Sequence, residues 1–245
     1  VLVNGDVLFD VDLAAAVDAH RASGALATLV LLPMPHGAGV PQGAIELDAG
    51  GAVRRLDRGA AGRFGPGGEG LTRWHFSGVH VVSPALLERI PAQPFEVDVI
   101  RDVYAPLMAS GSIRGLAAEG YWNDLGTPAA YLAANLDVLT GRVPYARFGG
   151  ATPWPVPAEI TPWVRAGDAR VQHDARLLAP SWLGREAEIA TGAEVGPEAV
   201  IGAGAVIPDG AVVRRAVVWP GTVLRPGEVV EDAIAAGEFR VPAGS

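Results

Sequence analysis

The chain has no cysteine. That excludes a disulfide framework and any metal held by thiolates. It has no lysine either, so all 19 basic side chains are arginines, and any contact made to a phosphate falls to a guanidinium. Positive charge is scarce: 27 carboxylates outnumber those arginines and leave a net charge of −8. A balance of that sign argues against a basic face for nucleic acid. The longest mainly apolar stretch, residues 26–32 with Thr28 inside it, is far short of the ~20 residues a membrane-crossing helix needs. No secretory signal is visible, and the expected compartment is the cytoplasm. What is abundant is glycine (32) and proline (20) in a chain of 245 residues, which is long enough for more than one domain and rich in turns.

The first residues carry the first chemical hint. Val1-Leu2-Val3 runs into Asn4-Gly5-Asp6. This reads as a buried parallel strand delivering Asp6 to its C-terminal edge, where open α/β sheets place their ligands. A strand so deep in a fold, with no methionine before it, suggests the back part of a larger protein. Residues 12–23 have helical spacing, with Leu13, Val17 and His20 on one face and Gly24 as a C-cap. With the buried strand 26–32 they make a βαβ unit. A Gly-rich stretch, 33–70, holds a hairpin (43–47 and 52–56) around Asp48-Ala-Gly-Gly51. Residues 74–82 read as a strand. Ser83 caps the helix that follows, with Pro84 in its first position. A helix over 97–109 and a strand over 113–117 lead to Gly120-Tyr-Trp-Asn-Asp-Leu-Gly-Thr-Pro128. There Thr127 caps a helix that reaches about Leu139 and is closed by Gly141.

From residue 142 prolines break any regular element, marking a linker. Beyond it an aliphatic residue returns every six: Leu177, Leu183, Ile189, Val195, Ile201, Ile207 and Val213, then after one five-residue step Val218, Leu224 and Val230. Small residues follow four places behind most of them: Ser181, Ala187, Ala193, Ala199, Ala205, Ala211 and Thr222. This is the pattern of a β-helix with three short faces per coil, aliphatic side chains stacked inside and small ones at the corners. Ten hexads make about three coils. The expected domains are therefore 1–141, a linker 142–176, the β-helix 177–235 and a tail 236–245.

Two carboxylates stand in Gly-containing turns that let a ligand approach the backbone, Asp6 and Asp124. Two hard oxygen ligands can hold Mg²⁺ while leaving positions for substrate phosphates. Each also has a plain structural reading, Asp6 as a turn residue after Asn-Gly and Asp124 as a loop residue before the Thr127 cap. His75 and His80 are five apart on one strand and so point to opposite sides, which excludes a shared metal site.

Val1–Asp6 with Val7-Leu-Phe-Asp10, the helix carrying His20, Phe76-Ser-Gly-Val-His-Val-Val-Ser-Pro84 and Tyr121-Trp-Asn-Asp-Leu-Gly-Thr-Pro-Ala-Ala-Tyr131 together resemble the sugar-1-phosphate nucleotidylyltransferases. Among these the resemblance is greatest to the mannose-1-phosphate guanylyltransferase-like group, whose C-terminus often carries a left-handed β-helix of hexapeptide repeats. It covers residues 1–140 and 177–235. It implies an α/β fold, the C-terminal part of a Rossmann-like nucleotidyltransferase sheet, followed by a left-handed parallel β-helix. It implies Asp6 and Asp124 as ligands of a catalytic Mg²⁺, with Asn4, Gly5, Gly78 and Trp122 against the substrate; for Trp122 core packing is an equal reading. The implied partners are a nucleoside triphosphate and a sugar-1-phosphate, with no nucleic acid and no membrane, and a homo-oligomer formed through the β-helix. The implied reaction is attack of the sugar-1-phosphate oxygen on the α-phosphorus, with pyrophosphate leaving and no protein nucleophile.

The departures are specific. The family's Gly-rich triphosphate loop and the lysine after it are not in this chain, so about 100 residues, some three βαβ units, are expected ahead of Val1. The 245-residue chain alone is accordingly expected to be inactive. Asp57-Arg58 stands near the family's sugar-contacting Glu-Lys pair, and a solvated loop pair is the simpler reading. Two alternatives remain at this point. A regulatory or assembly paralogue would keep the fold without turnover. A hexapeptide-repeat acyltransferase needs a histidine base on the β-helix, and no histidine follows His173.

Overall fold

A computed structural model describes residues 1–34, 44–56, 68–90, 97–143, 163–165 and 168–244. The expected pair Asp57-Arg58, the start of the hairpin at Gly43 and most of the proline-rich linker lie outside these residues. The chain forms two compact units, Val1–Trp122 and Asn123–Ser245.

The first unit is a mixed sheet with helices. Its elements are β1 (Leu2–Val3), β2 (Val7–Phe9), α1 (Leu13–Ser23), β3 (Ala27–Leu32), β4 (Ala44–Leu47), β5 (Val53–Leu56), β6 (Thr72–Val82), α2 (Pro84–Leu87) and β7 (Ile113–Ala117). A helical segment precedes β7 and changes pitch twice, from π (Val99–Tyr104) through α3 (Ala105–Leu107) to 3₁₀ (Met108–Ser110). The order across the sheet is β5-β4-β6-β3-β7. β3 and β7 are parallel, and the other ladders are antiparallel. All six residues of β3 are buried, as a central strand covered on both faces requires. α1 starts on Asp12, which accepts from Ala15 N at 2.9 Å, and ends on left-handed Gly24. The hairpin turn is closed by Asp48, whose Oδ1 accepts from Gly50 N and Ala52 N.

Two expectations need correction. β1 is not buried: Val1, Leu2 and Val3 are 57%, 46% and 43% exposed. It runs antiparallel to its ladder neighbour β6 (Leu2↔His80, Val3↔Val79), and that is its sole ladder among the described residues. Ser83 does not cap α2. Its hydroxyl donates to Ala25 O at 2.8 Å, so it accepts from His20 Nε2 at 3.0 Å. The neutral ring of His20 then takes the Thr28 hydroxyl proton on Nδ1 at 2.9 Å. Burial lowers the His20 pKa and keeps that ring neutral.

The second unit opens inside β8 (Trp122–Asp124), continues through α4 (Pro128–Leu139) and is then a parallel β-solenoid of about four turns. One face is β9 (Trp163–Arg165), β12 (Ser181–Leu183), β15 (Ala199–Ile201), β18 (Ala216–Val218) and β20 (Ala233–Ala236). A second is β10 (Arg170–Val171), β13 (Glu188–Ile189) and β16 (Val206–Ile207). The third is β11 (Arg176–Leu177), β14 (Glu194–Val195), β17 (Val212–Arg214) and β19 (Val229–Glu231). The hexad residues from Leu183 to Val230 and the corner alanines from Ala187 to Ala211 are all buried in one core. The coil thus begins ahead of Leu177. The five-residue step falls at Arg214–Arg215: Ser181 pairs with Ala199, eighteen residues on, but Ala199 with Ala216, seventeen on. The last strand, β21 (Phe239–Pro242), turns back antiparallel to β20. Arg240 ties it to Glu228, Nε to Oε1 at 2.5 Å.

Outside the prism the coils are laced by ions. Glu194 accepts from Arg214 at 2.6 and 2.9 Å and pairs with Arg176 at 3.1 Å, and Arg170 pairs with Glu188 at 3.1 Å. With no lysine available, each rung uses a guanidinium, which can engage a carboxylate through more than one N–H.

Candidate active site

The site residues of the first unit gather on β6, at a bulge. Leu29 pairs with His80 and Leu31 with Phe76, so four residues of β6 span two of β3. The extra length is at Ser77-Gly78-Val79. Ser77, fully buried, pins it: its hydroxyl donates to Val30 O at 2.8 Å and accepts from Val79 N at 3.2 Å. Gly78 holds φ +78°, a conformation that favours glycine.

The opposite edge of β6 is shared. β4 pairs with residues 72–75 and β1 with 79–80, which leaves the carbonyls of the bulge between them. Two predicted residues take those carbonyls. Asn4 N donates to Gly78 O at 3.0 Å, and Trp122 Nε1 donates to Ser77 O at 2.8 Å. Asn4 also covers Gly78: a Cβ added there would lie 2.9 Å from the Asn4 amide. The missing side chain of Gly78 therefore makes room for Asn4, which is itself exposed. Gly5 has nothing within 4 Å of its open face. Asp6 is exposed.

The Trp122 ring is held edge-on to His75, centroids 4.4 Å apart. His75 and His80, on either side of the bulge, have different ring neighbours. His80 shares a 2.8 Å hydrogen bond with the Tyr104 hydroxyl and meets the edge of Phe76. The approach to Trp122 is fixed by one more close contact. Asp10 N donates to Tyr121 O at 2.8 Å, and at Gly120 any Cβ would strike Asp10 O. Ser77, His75, Asp10 and Gly120 thus shape this place although the sequence reading assigned them no site role. The signal that was available is the glycine of Gly120-Tyr-Trp, which no other residue can replace at φ +148° against a carbonyl.

Beside β6, the hairpin carries a buried charge. Glu46 is wholly buried and accepts from Arg73 at 2.6 and 3.0 Å, from Arg55 at 2.9 Å and from Gly68 N at 3.3 Å. Burial alone would raise its pKa; the hydrogen bonds and the two guanidiniums outweigh it and hold the carboxyl below its usual range.

Asp124 belongs to the second unit. It is exposed, and its Oδ1 accepts from Gly126 N at 2.9 Å, closing the turn on itself. Thr127 Oγ1 accepts from Ala130 N at 3.1 Å and caps α4 as the sequence predicts. Among the described residues no group of three or more His, Cys, Asp or Glu side chains is placed to hold a metal. A cage made of protein ligands alone is therefore not present in them. Asp6 and Asp124 fall in different compact units, and each presents an exposed carboxylate with hard oxygens.

Comparison with known proteins agrees with this arrangement of motifs. The chain is 30% identical over 197 residues to a mannose-1-phosphate guanylyltransferase of Mycobacterium tuberculosis, covering 78% of this chain and 49% of that protein. It is 26% identical over 206 residues to a UTP–glucose-1-phosphate uridylyltransferase of Synechocystis, covering 78% and 52%. A glucose-1-phosphate adenylyltransferase of Fervidobacterium nodosum is 22% identical over 148 residues, covering 59% and 34%. The chain thus spans about half the length of the first two relatives. Residues 1–141 match the Nucleotidyl transferase family, and the chain belongs to that family.

Proposed function

We propose that the protein transfers a nucleotidyl group from a nucleoside triphosphate to a sugar-1-phosphate, in the manner of the mannose-1-phosphate guanylyltransferases. An oxygen of the sugar phosphate forms a bond to the α-phosphorus, the bond from that phosphorus to the β-phosphate oxygen breaks, and pyrophosphate leaves with the electron pair. No covalent enzyme intermediate is needed, so the work of the protein is positioning and charge neutralisation. The observation that carries the reading is the convergence of Asn4, Gly78 and Trp122 on the bulge of β6, with the exposed Asn4 amide as the group offered to the sugar. Asp6 and Asp124 would hold Mg²⁺, which supplies charge to the phosphates when bound. The remaining phosphate contacts fall to arginine. The cytoplasm, where nucleoside triphosphates are available, is the expected place.

The test is pyrophosphate release by the complete protein from a panel of nucleoside triphosphates and sugar-1-phosphates. Activity is expected to depend on Mg²⁺ and to fall ~10²-fold or more in both Asp6→Ala and Asp124→Ala. Unaltered turnover in the two variants would remove the site assignment. The 245-residue chain by itself, without a Gly-rich triphosphate loop, is expected to show no turnover.

A further inference from the structure

The outer surface of the solenoid is not the same on its three faces. On two of them the first coils put ion pairs outward, Arg170 with Glu188 and Arg176 with Glu194. The remaining face, that of β15, β18 and β20, instead carries one transverse row of apolar side chains, Val200, Val217, Ile234 and Val241, in register across β15, β18, β20 and β21. That row is covered from within the same unit. α4 lays Leu132 and Leu136, 2% and 3% exposed, onto it, and Tyr131 and Leu139 flank them. Val217 and Ile234 are left 4% and 6% exposed.

The helix so docked starts four residues after Asp124. Its first turn is fixed twice, by the Thr127 cap and by Pro128 in the first helical position. The intervening turn is closed by the Asp124 carboxylate on Gly126 N. A short path of fixed torsions therefore runs from the apolar row, through α4, to one carboxylate. We propose that the solenoid is the platform of the Asp124 turn, and that Val217 and Ile234, with Leu132 and Leu136 of α4, are positioning residues for nucleotidyl transfer. The inference rests on the role proposed above for Asp124. A ligand of a reacting complex misplaced by about 1 Å can lose ~10²-fold in rate, so a loosened platform should register in turnover.

The experiment uses the complete protein and four variants. Val217→Ala and Leu136→Ala shorten the contact; Leu136→Met keeps its volume; Val229→Ala, on an outer position of another face, serves as control. Amide hydrogen exchange is followed in residues 123–131, alongside kcat, KM and the Mg²⁺ concentration for half-maximal rate. Exchange there is expected to quicken at least tenfold in the two shortened variants. Their kcat should fall about tenfold or more, with a raised Mg²⁺ requirement and little change in KM for the sugar-1-phosphate. Leu136→Met and Val229→Ala should match the parent. Unchanged exchange in both shortened variants overturns the platform, and so does quickened exchange with unchanged kcat and Mg²⁺ requirement. A parent protein that releases no pyrophosphate from any pair overturns the proposed function, while the exchange measurement still decides whether the solenoid holds the turn.

Discussion

Several residues in the first unit do their work by being unavailable to water. His80 is the clearest case. Buried against Phe76 and Tyr104, its ring is pushed down to about 4 from an ordinary 6.5. Desolvation disfavours the charged imidazolium, and the same burial pushes the Tyr104 hydroxyl up. In the unfolded chain the ring takes its proton near 6.5, so between 6.5 and about 4 the unfolded state binds more protons. The stability this group confers is complete above pH 6.5 and is lost as the pH falls towards 4, by roughly 3 kcal/mol in all. His80→Gln keeps a hydrogen-bonding side chain and removes the titration. Urea denaturation at stepped pH should show a shallower acid loss in that variant. His20, lowered in the same direction, retains its own share. An identical slope in parent and variant would remove His80 from the account.

At the scale of elements, the two halves of the chain differ in how they are specified. Each solenoid strand is only a few residues long and owes its stability to an inward side chain stacked on the same position one coil away. Ile207 is fully buried in that stack. Ile207→Ala should cost about 2–5 kcal/mol, read from the denaturant midpoint, whereas exposed Val229→Ala should stay within ~0.5 kcal/mol. An Ile207→Ala midpoint equal to that of the parent would show that the coils do not share one core. This period is legible in the sequence because it is local: residue n predicts n+6. The hairpin around Asp48, the cap at Thr127 and the closing glycines Gly24 and Gly141 were legible for the same reason, whereas Asp12, read as part of the helix, is its cap. The exposure of β1 and the bulge at Ser77-Gly78 were not. Both depend on ladder partners distant in sequence, and Trp122 reaches Ser77 across 45 positions. The hydroxyl of Ser83 was misread as a cap because nothing in its neighbourhood announces His20, 63 residues away.

At the scale of the molecule, composition and packing divide the chain in different places. Proline content changes at residue 142, and the family match also runs to 141, yet the compact units part between Trp122 and Asn123. The reason lies in α4, which by sequence belongs with the catalytic motifs and by contact belongs with the solenoid. A parallel solenoid has a second property at this scale: its last coil presents unpaired backbone in the same orientation as its first can accept. Stacks of this kind are templates for further copies, and left open they grow into filaments. β21 occupies the final edge of one face with its chain direction reversed, so that no incoming strand meets the parallel register there, and the Arg240–Glu228 pair keeps it in place. Removal of residues 238–245 should therefore give a mass by light scattering that rises with concentration, where the protein that keeps them holds a constant one; equal behaviour of the two would mean that the ends are guarded elsewhere. The antiparallel strand thus works as a guard: on this face it offers a second copy of the coil an edge of the wrong direction.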